Sequence, residues 1–139
     1  MKVCGVEILH TQVNICLLTG ENGLFDIPDC RTRMITVKNP HDTEELRKFQ
    51  RTMAKLAEDY KVEKFAIRSR PTKGKFAGTA ESFKLEAALQ LISEVNVEVV
   101  DSQAVQTAVK KTMPKLDLKT IGLKKFQQSA LETAFAALA

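Results

Sequence analysis

The chain opens on two runs of alternating residues joined by one polar turn, residues 2–9 (KVCGVEIL) and 12–19 (QVNICLLT). Val3, Gly5, Glu7 and Leu9 fall on one face of the first run and Cys4, Val6 and Ile8 on the other, which is the period of a β-strand. Residues 20–23 form a second turn. In residues 31–38, Thr32, Met34 and Thr36 alternate with Arg33, Ile35 and Val37, so a third, half-buried strand completes an antiparallel meander. Pro40 ends it. Asp42, with Glu45 three residues on, starts a helix that carries Leu46, Phe49, Met53 and Leu56 at helical spacing. Residues 64–68 read as a short buried strand, and a loop rich in Pro, Gly and Lys leads to a second helix from about Ala80, with Phe83, Ala87, Leu91 and Val95 down one face. Residues 97–100 form a fifth strand. Asp101 and Ser102 cap a third helix that ends before Pro114, and the last helix spans residues 122–139.

This order predicts an α/β fold in one domain over residues 1–139, because a chain of this length buries enough apolar surface without staples. Crossover units after a meander place the later strands parallel to the first. The expected sheet is mixed and five-stranded, in order 3-2-1-4-5, with helices on both faces. Glu7 then lies mid-strand on the central strand, beside a glycine that leaves space above the sheet, which points to a ligand or metal site. The competing reading is a solvent-facing glutamate on an uncovered sheet face.

Composition narrows the class. No apolar run approaches the roughly 18 residues that a membrane helix needs. Met1 leads straight into strand pattern, without the charged start and apolar stretch of a signal peptide. Cys4, Cys16 and Cys30, an odd number in strand-like surroundings, suit buried reduced thiols and a cytoplasmic location. His10 and His41 adjoin turns and share no ligand spacing with a cysteine.

The net charge of +4 is segregated: residues 61–84 hold seven Lys or Arg against two Glu, and residues 102–128 six Lys against one Asp. Two such segments on one side of the molecule make a field suited to DNA or RNA, against the alternative of two solvated surfaces. The loop RSRPTKGKFAG concentrates this charge. If the first and fourth strands are parallel neighbours, Arg68, Ser69, Arg70, Lys73, Gly74 and Lys75 rim the space above Glu7 as candidate phosphate-binding residues. Gly74 and Gly78 let backbone amides approach an anion, and a helix N-terminus follows. Phe76 either stacks on a base or pins the loop to the core.

The segments KVCGVEI, VEVVDSQAVQTAVKK and SALETAFAALA resemble the first strand, the fifth strand with its helix, and the closing helix of RuvC-like Holliday-junction resolvases, which have the ribonuclease H-like fold. The whole chain also resembles an uncharacterised family of short bacterial proteins (DUF 3010), whose motifs include FKLEAALQLI. The nuclease resemblance implies a two-metal carboxylate site, with Mg or Mn about 4 Å apart activating water. Glu7 matches the first acid and would be a metal ligand, although Asp is more usual there. At the second acid, the end of the fourth strand, this chain reads Ile67, Arg68, Ser69, Arg70, with no carboxylate.

Glu132 is the acid of the closing helix, and Ser129 stands one turn before it where the resembled pattern has another carboxylate. A wheel phased from Leu123 puts Glu132 opposite the stripe of Leu123, Ala130, Ala134 and Leu138. Asp101 ends the fifth strand, as a third acid or a helix N-cap. One well-matched acid and two poorer ones imply weakly held metal and a nucleic-acid-binding domain with a degenerate nuclease site. The alternatives are an active metal-dependent nuclease, its missing acids coming from another register or from the second subunit of a homodimer, and a protein-interaction module. The absence of Trp and the single Tyr argue against a large protein-recognition hot spot and against extensive stacking on single strands.

Overall fold

The computed structural model describes residues 1–112 and 117–138. Strands β1 (Lys2–Leu9) and β2 (Gln12–Glu21) form one long hairpin, paired from Lys2↔Thr19 to Leu9↔Gln12. At the next turn Asn22 and Gly23 both have positive φ, 53° and 80°, as a two-residue turn that follows strand twist requires. β3 (Leu24–Asp26) pairs with the far end of β2, and β4 (Met34–Thr36) with its near end, Gln12–Asn14. The single third strand expected at residues 31–38 is therefore joined by a second short strand on the same edge, and β2 runs into the stretch read as turn.

β5 (Lys64–Arg68) lies parallel to β1, and β6 (Asn96–Val100) lies parallel to β5. The sheet order is β3-β2-β1-β5-β6, with β4 beside β2. The expected order holds, and β1 is central.

Helix α1 (Thr43–Tyr60) begins where Asp42 accepts from the backbone N–H of Glu44 at 2.9 Å, and ends at Lys61, which is left-handed with φ 55°. Its Phe49, Met53 and Leu56 pack with Leu85 and Leu89 of α2 (Ala80–Gln90) against Cys4, Val6, Ile8, Phe65 and Ile67. The face of α2 differs from the expected one. Ser82, Leu85, Ala88 and Leu89 are buried, whereas Leu91 is 76% exposed. A row spaced by four residues drifts about 40° per step, and the helix stops at Gln90, so Leu91 turns outward while Val95 packs on the core from beyond the helix.

The other sheet face carries α3 (Ser102–Thr112) and α4 (Gln128–Leu138), whose Val105, Ala130, Leu131, Ala134 and Phe135 pack on Val3, Cys16, Leu18, Ala66 and Val100. The expected end of α3 before Pro114 falls outside the described residues. The closing helix starts later than residue 122, because Gly122 has φ 80° and a 3₁₀ turn at residues 125–127 precedes α4. All three cysteines are free and buried, and burial pushes the Cys16 thiol up to about 12.

Gly5 sits directly beneath α4. A Cβ built on it would lie 1.8 Å from the Ala130 carbonyl oxygen, so the space read as room for a ligand is filled by helix backbone. Gly5→Ala is expected to lower stability by about 3 kcal/mol, the upper end of overpacking costs, because the obstacle is backbone and cannot rotate away. Urea unfolding with an unchanged m-value is the measurement.

Candidate functional site at the carboxyl ends of the parallel strands

In the parallel β1–β5 pair, Gly5 is opposite Ala66 and Val6 opposite Ile67, so Glu7 and Arg68 stand at the next rung on the α4 face. Glu7 is half-buried and accepts from Asn14 Nδ2 at 3.3 Å, and Gln12 Nε2 donates to Asn14 Oδ1 at 2.9 Å. Asn14 is fully buried, which orients this short chain of amides.

Arg68 is the centre of the site. Its Nε donates to Ser102 Oγ at 3.1 Å, and one terminal nitrogen, Nη1, donates to Ser129 Oγ at 3.0 Å and Glu132 Oε1 at 3.4 Å. The other, Nη2, makes no hydrogen bond among the described residues. The Arg68 and Glu132 side chains are 18% and 20% exposed. Gln128 Nε2 reaches the second oxygen of Glu132 at 3.4 Å. Glu132 therefore faces the strand ends, contrary to the expectation drawn from the helical wheel. The wheel angle itself holds, since Glu132 stands two residues from both Ala130 and Ala134 within α4; it still reaches Arg68 because α4 is buried on more than one side, with Leu131, Thr133 and Phe135 buried as well.

Asp101 is exposed, and its Oδ1 accepts from Gln103 N at 2.8 Å at the start of α3. It acts as a helix cap. Ser69 Oγ accepts from Ser102 N at 3.0 Å, so the hydroxyl that sequence reasoning offered to a phosphate joins β5 to α3.

Arg70 is engaged elsewhere too. It forms an ion pair with Glu86 at 3.1 Å, bonds the Arg68 carbonyl, and stacks on the Phe83 ring at 4.7 Å, while its buried Nε has no partner among the described residues. Gly78 packs against this guanidinium, and a Cβ there would come within 2.9 Å of Arg70 Nε. The clamp fixes the base of the loop and leaves its tip outside. Lys73, Gly74 and Lys75 are exposed, and Phe76 is 79% exposed with Lys75 Nζ 5.9 Å above its ring. Phe76 does not pin the loop to the core. Lys64 pairs with Glu98 at the other end of β5, so the basic segment only partly gathers at the site.

The histidines meet at the start of α2. His10 Nδ1 lies 3.1 Å from Oγ1 of Thr79, the cap of α2, and His41 Nε2 lies 3.1 Å from Glu81 Oε2. No local pattern links these residues, since the hairpin turn and the foot of α1 meet α2 only in the fold.

The metal pair implied by the nuclease resemblance does not fit this donor set. Among the described residues no group of three or more His, Cys, Asp or Glu gathers. Glu132 is already bonded to a guanidinium, which repels a cation.

The family model described as "Protein of unknown function (DUF3010)" matches residues 1–137, and the chain belongs to that family. No curated protein matches it. Among solved structures it is similar to Thermus thermophilus RuvC, with a TM-score of 0.73 at 13% identity, covering 98% of this chain and 92% of that one. The same RuvC in complex with a Holliday junction substrate gives 0.71 at 15% identity, with the same coverage. The Fowlpox virus resolvase bound to Holliday junction DNA gives 0.52 at 13% identity, over 99% and 92% of the two chains. The fold is thus the ribonuclease H-like fold of RuvC. No helix among the described residues is long and apolar enough to cross a membrane.

The Glu81 carboxyl is held below the usual carboxylate range, chiefly by its own backbone N–H and then by His41. A lowered folded-state pKa stabilises the protein above the ordinary glutamate value of about 4.3, and that contribution fades as pH falls through the folded value. The excess in Tm of the wild type over Glu81→Gln is therefore expected to shrink as pH drops from about 6 to about 3.

Proposed function

We propose that residues 1–139 form a single ribonuclease H-like domain that binds the phosphates of DNA or RNA at the carboxyl ends of β1 and β5, with a degenerate nuclease site that cleaves slowly or not at all. The observation that carries this reading is the guanidinium of Arg68 seated among Ser102, Ser129 and Glu132. A guanidinium supplies a permanent positive charge and a fork of donors suited to phosphate, and here Nη2 remains for one. It does not ionise a bound water, which is what a catalytic metal would contribute. The solved relatives that hold Holliday junction DNA support a nucleic-acid partner. The three buried, free thiols fit a reducing, cytoplasmic setting.

Lys73 and Lys75 extend the field on the exposed loop tip, and Phe76 offers a ring face beside them. Lysine meets phosphate as a point charge, so it sets affinity without reading bases. Fluorescence anisotropy on junction, duplex and single-stranded oligonucleotides over a salt series is the test. Replacing Lys73 and Lys75 with Gln is expected to lower the salt slope by about two, with sequence preference unchanged. Manganese calorimetry is expected to find weak binding. Tight binding lost in Glu7→Gln, together with cleavage abolished by that change, would replace this reading with an active nuclease. Absence of binding to every oligonucleotide near about 50 mM salt would favour the protein-interaction module.

A further inference from the structure

We propose a second phosphate-binding site for the same nucleic acid, in the lysine-lined cavity in front of α4. The proposal rests on the nucleic-acid reading above and extends it to residues outside the Arg68 centre. The cavity has a volume of about 660 Å³ and is walled by Lys119, Lys124, Lys125, Gln128 and Asp117, among others. Three lysines and one carboxylate are among its lining residues. That carboxylate is engaged in its own turn, accepting from Lys119 N and from Thr120 Oγ1, both at 3.1 Å. Among the described residues none of the three lysines forms an ion pair, whereas Lys55 and Lys64 elsewhere do.

The wall is held in place while its charges stay exposed. Arg33 donates to the Gly122 carbonyl at 2.8 Å, and Leu123 N donates to Leu118 O at 2.9 Å. Gln127, only 2% exposed, accepts from Lys124 N and donates to Ile15 O on β2, each at 2.9 Å. These bonds tie the lysine-bearing backbone to the sheet edge, so a bound phosphate would meet a preformed surface at low ordering cost.

The charges are also poorly placed for stability alone. Lys124 and Lys125 stand where the closing helical segment begins, the end at which its dipole is already positive. Helices α1 and α2 carry Glu44, Glu45 and Glu81 at that end, while the 3₁₀ turn and α4 carry no acid in their first turns. An anion in the cavity relieves this conflict. The cavity also adjoins the first site, since Gln128 lines it and bonds the Glu132 that holds Arg68. A backbone passing Arg68 can therefore continue over the start of α4, and a polyanion fits both sites better than a free phosphate does.

Three charge-removing double variants separate the possibilities in salt-dependent anisotropy. Replacing Lys124 and Lys125 with Gln is expected to lower the slope by about two, additively with the Lys73 and Lys75 pair, while Tm is held or slightly raised. Replacing Lys48 and Arg51 of α1 with Gln removes equal charge from the opposite sheet face and is expected to leave the slope unchanged. If the loop variant lowers the slope but the Lys124 and Lys125 variant does not, the second site is overturned and the nucleic-acid reading stands. An equal loss in the α1 variant would also overturn it, since net charge alone would then account for the effect. If wild-type protein binds no oligonucleotide, both readings fall. If inorganic phosphate displaces the labelled oligonucleotide from the wild type far better than chloride at equal ionic strength, and does so less from the Lys124 and Lys125 variant, the cavity is a free-anion site and the polyanion proposal is overturned.

Discussion

The close approach of α4 to β1 is the contact on which the site depends. The Ala130 carbonyl lies where any side chain at position 5 would stand, and Ala66, Ala130 and Ala134 keep the surrounding interface thin. Small residues let helix backbone come down onto the sheet, and that descent carries Ser129 and Glu132 to the level of the strand ends. With a larger residue at position 5, α4 would ride higher and Arg68 would lose two of its three side-chain partners. The glycine thus acts on the site through packing, at a distance from the polar atoms. Its role is the reverse of an opening for a ligand.

Two arginines two residues apart serve different ends because the chain leaves the sheet between them. Arg68 is the last residue of β5 and stays on the α4 face, while Ser69 is held by Val100 O and Ser102 N at the edge. The chain then turns, and Arg70 falls against α2, where Glu86 neutralises it and Phe83 supports its plane. Charge counted along the sequence treats both as available to an anion. Counted in space, one is committed to anchoring the loop, and the other keeps one terminal nitrogen without a bond among the described residues. The exposed basic charge nearest in sequence to these elements comes from the loop tip and the segment before α4.

The meander, the crossover order and the central place of β1 were legible because each rests on short-range pattern: alternation in the first two strands, a cap at Asp42, and the chirality of parallel connections. Positions that depend on phase were less so. Glu132 was read as solvated because a wheel assumes one buried stripe, whereas α4 is buried around most of its girth and Glu132 meets Arg68 from the flank. The stripe of α2 was drawn from four-residue spacing past the helix end. β3 was missed because Leu24, Phe25 and Asp26 are all exposed and carry no alternation. The commitments of Ser69 to Ser102 and of Arg70 to Glu86 are tertiary. Each residue type is as common in loops and sites as in frameworks, and the partner that decides between them lies far along the chain.

A cation bound to carboxylates can leave, exchange, and polarise water, whereas a side-chain guanidinium does none of these. The bonds of Arg68 to α3 and α4 make it part of the framework as well as of the surface. Such a centre couples folding to charge display: the hydroxyls of Ser102 and Ser129 and the carboxylate of Glu132 that hold Arg68 also hold the two helices to the end of β5. Because Glu132 and the neighbouring Glu7 offset its charge, Arg68 gives a donor fork without net positive charge, and the long-range attraction of the proposed interface comes from the lysines around it. That division suits attraction without chemistry. The neutralised pair fixes geometry at the middle, and in the proposed interface the exposed ammonium groups at the rim would supply the long-range field for a polyanion.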